Sequence, residues 1–127
     1  MKNIVWFGIL MSLATVASAD GLVVNNKQTR TFDCAKDPTV LVAGNGNTIT
    51  LKGKCKAVRV PGNDNTVVGD QILSISIDGN KNTLRVTAVD EVSINGDHND
   101  LRWSKTIDGD ETPEVSILGE DNKVTKK

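Results

Sequence analysis

The stretch Ser-Ile-Ser-Ile-Asp-Gly-Asn-Lys-Asn-Thr-Leu-Arg-Val, residues 74–86, decides the fold of this chain. Aliphatic side chains alternate with polar ones on both sides of the Gly-Asn-Lys-Asn turn at 79–82. Alternation with a period of two is typical of a strand that buries one face. Gly and Asn tolerate the positive φ angles that tight turns between strands often require. The stretch therefore predicts a strand, a tight turn and a second strand.

The same unit recurs along the 127-residue chain. Its Gly-x-x-Asn turn occurs five times, with 18, 17, 17 and 23 residues between successive glycines. A two-strand unit of this length cannot bury its apolar face alone, so successive units must pack on one another. We expect the glycine and the last asparagine of each turn to form a structural turn ladder: Gly44, Asn47, Gly62, Asn65, Gly79, Asn82, Gly96, Asn99, Gly119 and Asn122.

Two architectures would let the units pack. They could form an antiparallel meander folded into a β-sandwich, or each unit could be one coil of a parallel β-solenoid. Equivalent positions carry like residues in successive units, for example Thr48, Thr66 and Thr83, and stacked Asn and Thr columns can share hydrogen bonds. The sequence therefore favours an all-β parallel solenoid of about five to six short coils, with two strands in each coil of roughly 17 residues. The antiparallel sandwich is the alternative.

The first 19 residues carry the pattern of a secretory signal peptide. Lys2 precedes an apolar run, and Ala17-Ser18-Ala19 is a cleavage site that would leave Asp20 at the mature N-terminus. A membrane-spanning helix needs roughly 20 apolar residues, which this run and all later ones lack. We therefore predict a signal peptide at 1–19, export to the periplasm or the medium, and one β-repeat domain at 20–127 that does not span the membrane.

Two cysteines, Cys34 and Cys55, remain in the predicted mature chain. Exported proteins fold in an oxidising compartment, where an even cysteine count indicates a disulfide. If the first coil has a small bulge near 36–38, both thiols lie at the same corner of adjacent coils, about 4.8 Å apart, which suits a disulfide. We predict a bridge that clamps a degenerate first coil at 22–34. A reactive or metal-binding thiol pair is the alternative.

Three units share the pattern Gly-Asn-x-Asn-Thr-aliphatic: Gly44–Ile49, Gly62–Val67 and Gly79–Leu84. The pattern resembles the repeats of a bacterial family catalogued as domain of unknown function 3060, over roughly residues 22–125. The resemblance implies an exported protein with a cysteine near its first repeat, and it implies no activity, because the family has no established one. The chain departs from the pattern at Asp97 and Glu120, which replace Asn, and it lacks a lipidation cysteine.

The only histidine, His98, lies in the fourth turn. In a stacked arrangement it neighbours Asp121, and Asp97 and Glu120 complete a corner whose ligand types suit zinc or a similar divalent metal. The competing interpretation is a set of solvated turns with weak ion pairs, each worth less than about 1 kcal/mol. Because one histidine among carboxylates is unspecific, we predict neither a metal nor another cofactor.

An insertion at 104–113 is the one break in the periodicity. Insertions in solenoids form surface loops, often on the binding face, although most surface loops simply tolerate added residues. Its Asp108-Gly109-Asp110-Glu111 segment lacks the spacing of a calcium-binding loop. The loop is therefore either a contact site or a tolerated insertion.

Composition and motifs weigh against two classes of function. The chain has two Phe, two Trp, no Tyr and a net charge of −1, whereas single-stranded nucleic acid is bound by several aromatic rings in a basic groove. No Gly-x-Ser-x-Gly motif is present, and no serine stands out as a partner for the single histidine. We therefore predict neither nucleic-acid binding nor nucleophilic catalysis.

These observations favour a small exported, non-enzymatic structural or interaction module of the bacterial cell envelope, with an unidentified protein or glycan as its partner. The alternative is a binder of acidic glycans, or an enzyme acting on them, with or without a metal. Either Arg85 and Arg102 or the corner of Asp97, His98, Glu120 and Asp121 would carry that alternative. Stacking would place both guanidinium groups on one flat face. Such arginines more often serve solubility.

Overall fold

The computed structural model describes residues 20–127, and the predicted signal peptide lies outside them. The described residues form nine strands and no helix: β1 (Asp20–Val23), β2 (Thr29–Asp33), β3 (Thr39–Val42), β4 (Thr48–Val60), β5 (Thr66–Ile77), β6 (Thr83–Ile94), β7 (Asp100–Lys105), β8 (Glu114–Ile117) and β9 (Lys123–Lys126). Every pairing between these strands is parallel. The fold is a β-solenoid of about five turns, which confirms the favoured prediction over the antiparallel sandwich.

Each coil contributes to two sheets, one on either side of the Gly-x-x-Asn turn. The post-turn sheet contains β2, the first parts of β4, β5 and β6, then β7 and β9. The pre-turn sheet contains β1, β3, the second parts of β4, β5 and β6, and β8. Thr48 pairs with Thr66, and Thr66 pairs with Thr83. Coils therefore stack like on like, as the repeat predicts.

The core consists of the inward-facing columns of the two sheets. The inward-facing side chains are at most 5% exposed, both before the turn, from Val40 to Ile94, and after it, from Ile49 to Leu101. Burying one Val, Leu or Ile side chain stabilises a fold by about 1.5–3 kcal/mol, and each coil repeats this contribution. The rings of Phe32, in the first coil, and Trp103, near the other end, are also buried.

A disulfide joins Cys34 to Cys55, with the two Cα atoms 4.9 Å apart. The first coil turns tightly just after β2, where the N–H groups of Lys36 and Asp37 both donate to the carbonyl of Asp33, each at 2.9 Å. This turn is the irregularity that the sequence predicted in the first coil. The bridge ties that coil to the second, as expected.

A second irregularity was not predicted. Gly53 is an extra residue in β4, and the register between β4 and β5 shifts between Leu51 and Lys54. Its φ of 81° lies in the left-handed region, which glycine adopts most readily. The extra residue bends β4 beside the disulfide.

The insertion leaves the solenoid at one corner. β7 continues through Ser104 and Lys105, so the irregular segment runs from 106 to 113. Within residues 20–127, no helix is long and apolar enough to cross a membrane.

Candidate functional site

The last asparagine of each turn is part of the scaffold. Asn47, Asn65, Asn82 and Asn99 are at most 1% exposed. The backbone N–H of Asn65 donates to Oδ1 of Asn82 at 2.9 Å, and Nδ2 of Asn82 donates to the carbonyl of Gly62, also at 2.9 Å. Both ends of the amide are used, so a carboxylate cannot replace it. This requirement explains the asparagine at four of the five turns, from Asn65 to Asn122, whereas Nδ2 of Asn47 is buried without a hydrogen-bond partner in residues 20–127.

The second turn position forms another ladder, which runs in the opposite direction. The N–H of Asn63 donates to Oδ1 of Asn45 at 2.9 Å, and the N–H of Glu120 donates to Oδ1 of Asp97 at the same distance. Only the side-chain oxygen is used here, and a carboxylate supplies it as well as an amide. The departures from the repeat at Asp97 and Glu120 are therefore compatible with the ladder.

The third turn position is held in the left-handed conformation, with φ of 58°, 58°, 59° and 57° at Asp64, Lys81, His98 and Asp121. Asn, Asp and Gly adopt this conformation most readily, and here the stacked neighbours hold lysine and histidine in it as well. Nε2 of His98 lies 3.2 Å from Oδ2 of Asp121, so these two predicted neighbours do meet. Both side chains are largely exposed.

The structure brings together only part of the candidate metal corner. Besides the His98–Asp121 pair, Asp97 uses one carboxylate oxygen to accept the N–H of Glu120. No group of three or more His, Cys, Asp or Glu side chains in residues 20–127 is placed to hold a metal ion. The corner is better described as a solvent-exposed contact between His98 and Asp121 on a hydrogen-bonded ladder.

The inserted loop is fastened to the corner of the preceding coil. Oδ1 of Asp90 accepts the N–H groups of Ile107, at 2.7 Å, and Asp108, at 3.1 Å. Within the loop, the hydroxyl of Thr106 donates to the carbonyl of Asp110 at 2.6 Å, and Pro113 is buried. The loop therefore has a defined conformation that directs acidic side chains toward solvent.

Two aspartates of the loop titrate as a pair. The N–H of Asp110 donates to Oδ1 of Asp108 at 3.0 Å, and this hydrogen bond lowers the pKa of Asp108. The negative charge of Asp108 in turn raises the pKa of Asp110. The loop presents a concentrated negative charge at neutral pH.

The two arginines of the glycan hypothesis are adjacent. Arg85 pairs with Arg102 on the outer face of the post-turn sheet. Nη2 of Arg102 lies 3.7 Å from Oδ2 of Asp100, and Arg85 forms no ion pair within residues 20–127. A shallow hollow of about 230 Å³ beside them is also lined by Lys127. This face can hold an anion, although the hollow is open to solvent.

Both ends of the solenoid place a cation over a buried ring. The guanidinium carbon of Arg30 lies 5.1 Å from the centre of the Phe32 ring, and Nζ of Lys126 lies 5.5 Å from that of Trp103. Arg30 pairs with Ile49, and Lys126 pairs with Trp103, so each cation occupies a column that is apolar in the central coils. We did not predict these two cations over the ends of the core. The sequence shows them where each inward-facing column reaches its first or last residue.

The two ends differ in how well they cover the core. Val23 and Phe32 of the first coil are buried, whereas Val115 and Ile117 of the last coil are exposed. A hollow of about 730 Å³ opens at that end, between the loop residue Pro113 and the two last strands. The irregular loop and the open end of the core therefore lie side by side.

These features define a small parallel β-solenoid built on stacked asparagine turns. Residues 42–87 match the model of a family described as a protein of unknown function (DUF3060), which confirms the resemblance over that part of the chain. Neither the curated proteins nor the solved structures gave a match.

Proposed function

We propose that this protein is a small exported, non-enzymatic interaction module of the bacterial cell envelope. The repeated polar side chains are used by the scaffold itself, as the buried Asn82 illustrates. The departures from the repeat, namely the acidic loop at 106–113 and the open last coil, are neighbours around one hollow. This clustering of irregular features on a rigid support carries the proposal, because binding residues commonly lie on loops held by a scaffold.

Replacement of the loop tests this function. Residues 106–113 occupy the corner that Val89 and Asp90 occupy in the preceding coil, so a Val-Asp dipeptide can replace them without changing the register of β8. We expect the shortened protein to keep its circular dichroism spectrum and to lose crosslinks to its envelope partner. A photoreactive residue at the exposed Lys105, which the shortened protein keeps next to the loop, supplies the crosslink, and one at the exposed Lys56 is the control for unspecific crosslinks. Unchanged crosslinking of the shortened protein from Lys105 would contradict a contact role for the loop.

Export has its own test. Expression with the native leader in a bacterial host, followed by N-terminal sequencing, should give a mature protein that begins at Asp20 and is released from the periplasm or recovered from the medium. An unprocessed chain confined to the cytoplasm would contradict the localisation.

The paired arginines favour a second candidate function, binding or processing of acidic glycans. Guanidinium groups bind carboxylate and sulfate groups well, and Arg85 is free of an ion pair in the described residues. Salt-sensitive binding to an array of acidic glycans, lost in Arg85→Ala with Arg102→Ala and kept in Arg59→Ala, would favour this candidate. Elemental analysis of the purified protein would show whether a metal accompanies it.

A further inference from the structure

The last coil leaves an unpaired edge at the C-terminal end of the solenoid. Within residues 20–127, β8 pairs only with β6, and β9 pairs only with β7. Val115 and Ile117 are 44% and 41% exposed, whereas their counterparts before the turn in the central coils are buried. Unpaired strands beside exposed apolar side chains favour the addition of further strands.

The N-terminal end is closed to such stacking. A Cβ added to Gly44 would overlap the carbonyl oxygen of Asn25, and each later turn glycine meets the preceding turn in the same way. The first turn resembles the others in two respects: Lys27 has a φ of 55°, and its N–H donates to the carbonyl of Asn45 at 2.9 Å. Asn25 occupies the glycine position of this turn, so its Cβ lies where the carbonyl of a preceding coil would be. A second copy therefore cannot extend the stack head to tail.

The two strands of the open edge carry opposite charges. Lys123 lies on the outer face of β9 and Lys127 follows this strand on the same face, whereas β8 begins with Glu114 and follows Glu111 of the loop. Within one coil, β8 runs toward the turn and β9 runs away from it. A two-fold axis parallel to the strands therefore places β8 of one copy antiparallel to β9 of another, with lysines against glutamates.

We propose that a second copy of this chain docks on the open edge, tail to tail, with β8 of each copy paired antiparallel to β9 of the other. This proposal rests on the proposed function as an interaction module, and it identifies a second copy of the chain as one partner of the open edge. Main-chain hydrogen bonds extend both sheets through the dimer, and Val115 and Ile117 become covered. The other two-fold arrangement, β9 against β9, places lysine on lysine and is disfavoured. Glu120 lies near the axis, where it is exposed and its repulsion is screened by salt.

Charge reversal tests this geometry. The lysine variant combines Lys123→Glu with Lys127→Glu, and the glutamate variant combines Glu111→Lys with Glu114→Lys. All four side chains are exposed, so circular dichroism should show an intact solenoid for both variants. The control variant combines Lys54→Glu with Lys56→Glu, far from the edge. It changes the net charge by the same amount as the lysine variant. The full chain, produced in an exporting host, is studied by sedimentation velocity between about 1 µM and 1 mM.

We expect the unaltered protein and the control to dimerise, and each edge variant alone to dimerise about tenfold more weakly or not at all. An equimolar mixture of the two edge variants should form a heterodimer, because it restores both lysine–glutamate contacts. Four outcomes would each overturn the proposal: an unaltered protein that stays monomeric throughout the range, a dimer that survives in both variants, a lysine variant that pairs with the unaltered protein better than with the glutamate variant, or an open-ended series of larger species.

The dimer and the proposed function fail independently. A monomeric protein that is exported and crosslinked to an envelope partner from Lys105 would overturn the dimer alone. A dimer that stays in the cytoplasm would overturn the proposed function alone.

Discussion

The first residue of each turn lies against the carbonyl oxygen of the turn before it, and this contact is the reason for glycine there. A Cβ on Gly79 would overlap the backbone of Gly62, which belongs to a rigid stack and cannot move away. We expect Gly79→Ala to destabilise the protein by about 3 kcal/mol or more, measured by urea unfolding. Asn25→Ala, at the same position of the first turn, should be nearly neutral because a Cβ is already present there. Equal stability of the two variants would contradict this packing argument.

The amide of Asn82 is the second residue whose role can be measured. Asn82→Ala leaves the N–H of Asn65 and the carbonyl of Gly62 unpaired in a buried site. The expected loss is about 2–5 kcal/mol of the free energy of unfolding. Asn80→Ala is the matched control, because the N–H of Asp97 that it releases is exposed and can bond to water, which limits the loss to about 1 kcal/mol. A loss as small as that of the control would show that the ladder is dispensable.

At the scale of elements, the repeat predicted what each coil shares and missed what differs between coils. The strands, the turns and the like-on-like stacking follow from period and residue type, as at Thr48, Thr66 and Thr83. The extra residue Gly53 was missed because one inserted residue in a polar corner leaves the hydrophobic period on both sides intact. The fastening of the loop by Asp90 was missed for another reason: a side chain that accepts two N–H groups 17 and 18 residues away leaves no local pattern.

The disulfide should stabilise the first coil more than the rest of the solenoid. It links residues 21 apart in sequence, and closing a loop of that length stabilises a fold by about 3 kcal/mol. Contacts in a solenoid are between neighbouring coils, so the loss on replacing both cysteines by serine should be local. Hydrogen exchange should show faster exchange in β1, β2 and β3 and little change in β6. Uniformly faster exchange would indicate that the solenoid unfolds as one unit.

The acidic loop gives a prediction about pH. Because the charge of Asp108 raises the pKa of Asp110, while the Asp110 N–H lowers the pKa of Asp108, Asp110 should take up its proton first as the pH falls. The hydrogen bond to the Asp108 carboxylate holds the loop in its conformation. This stabilisation is present above the usual aspartate pKa and is lost as the pH falls through the lowered pKa of Asp108. Carboxyl carbon shifts measured by NMR should show both steps. Asp108→Asn should return the pKa of Asp110 toward its usual value, and an unchanged Asp110 titration would contradict the coupling.

At the scale of the whole molecule, a solenoid is a stack that could continue, so its two ends decide its size. The sequence indicated about five to six coils and a degenerate first coil at 22–34, but not that one end is closed to stacking and the other is open. That distinction depends on Asn25, where the first turn departs from glycine, and on the exposed Val115 and Ile117. Such end effects escape a repeat pattern because a repeat describes only the interior of the stack.

Asn25 therefore offers the last test, on the size of the assembly. Replacing it with glycine removes the Cβ that occupies the place of a preceding carbonyl, and the N-terminal end then matches the glycine turns that stack throughout the solenoid. We expect Asn25→Gly to form end-to-end species larger than a dimer, detected by sedimentation velocity at high protein concentration. Asn25→Ala keeps the Cβ and should sediment like the unaltered protein. The same distribution of sizes in both variants would mean that something other than this Cβ closes the N-terminal end.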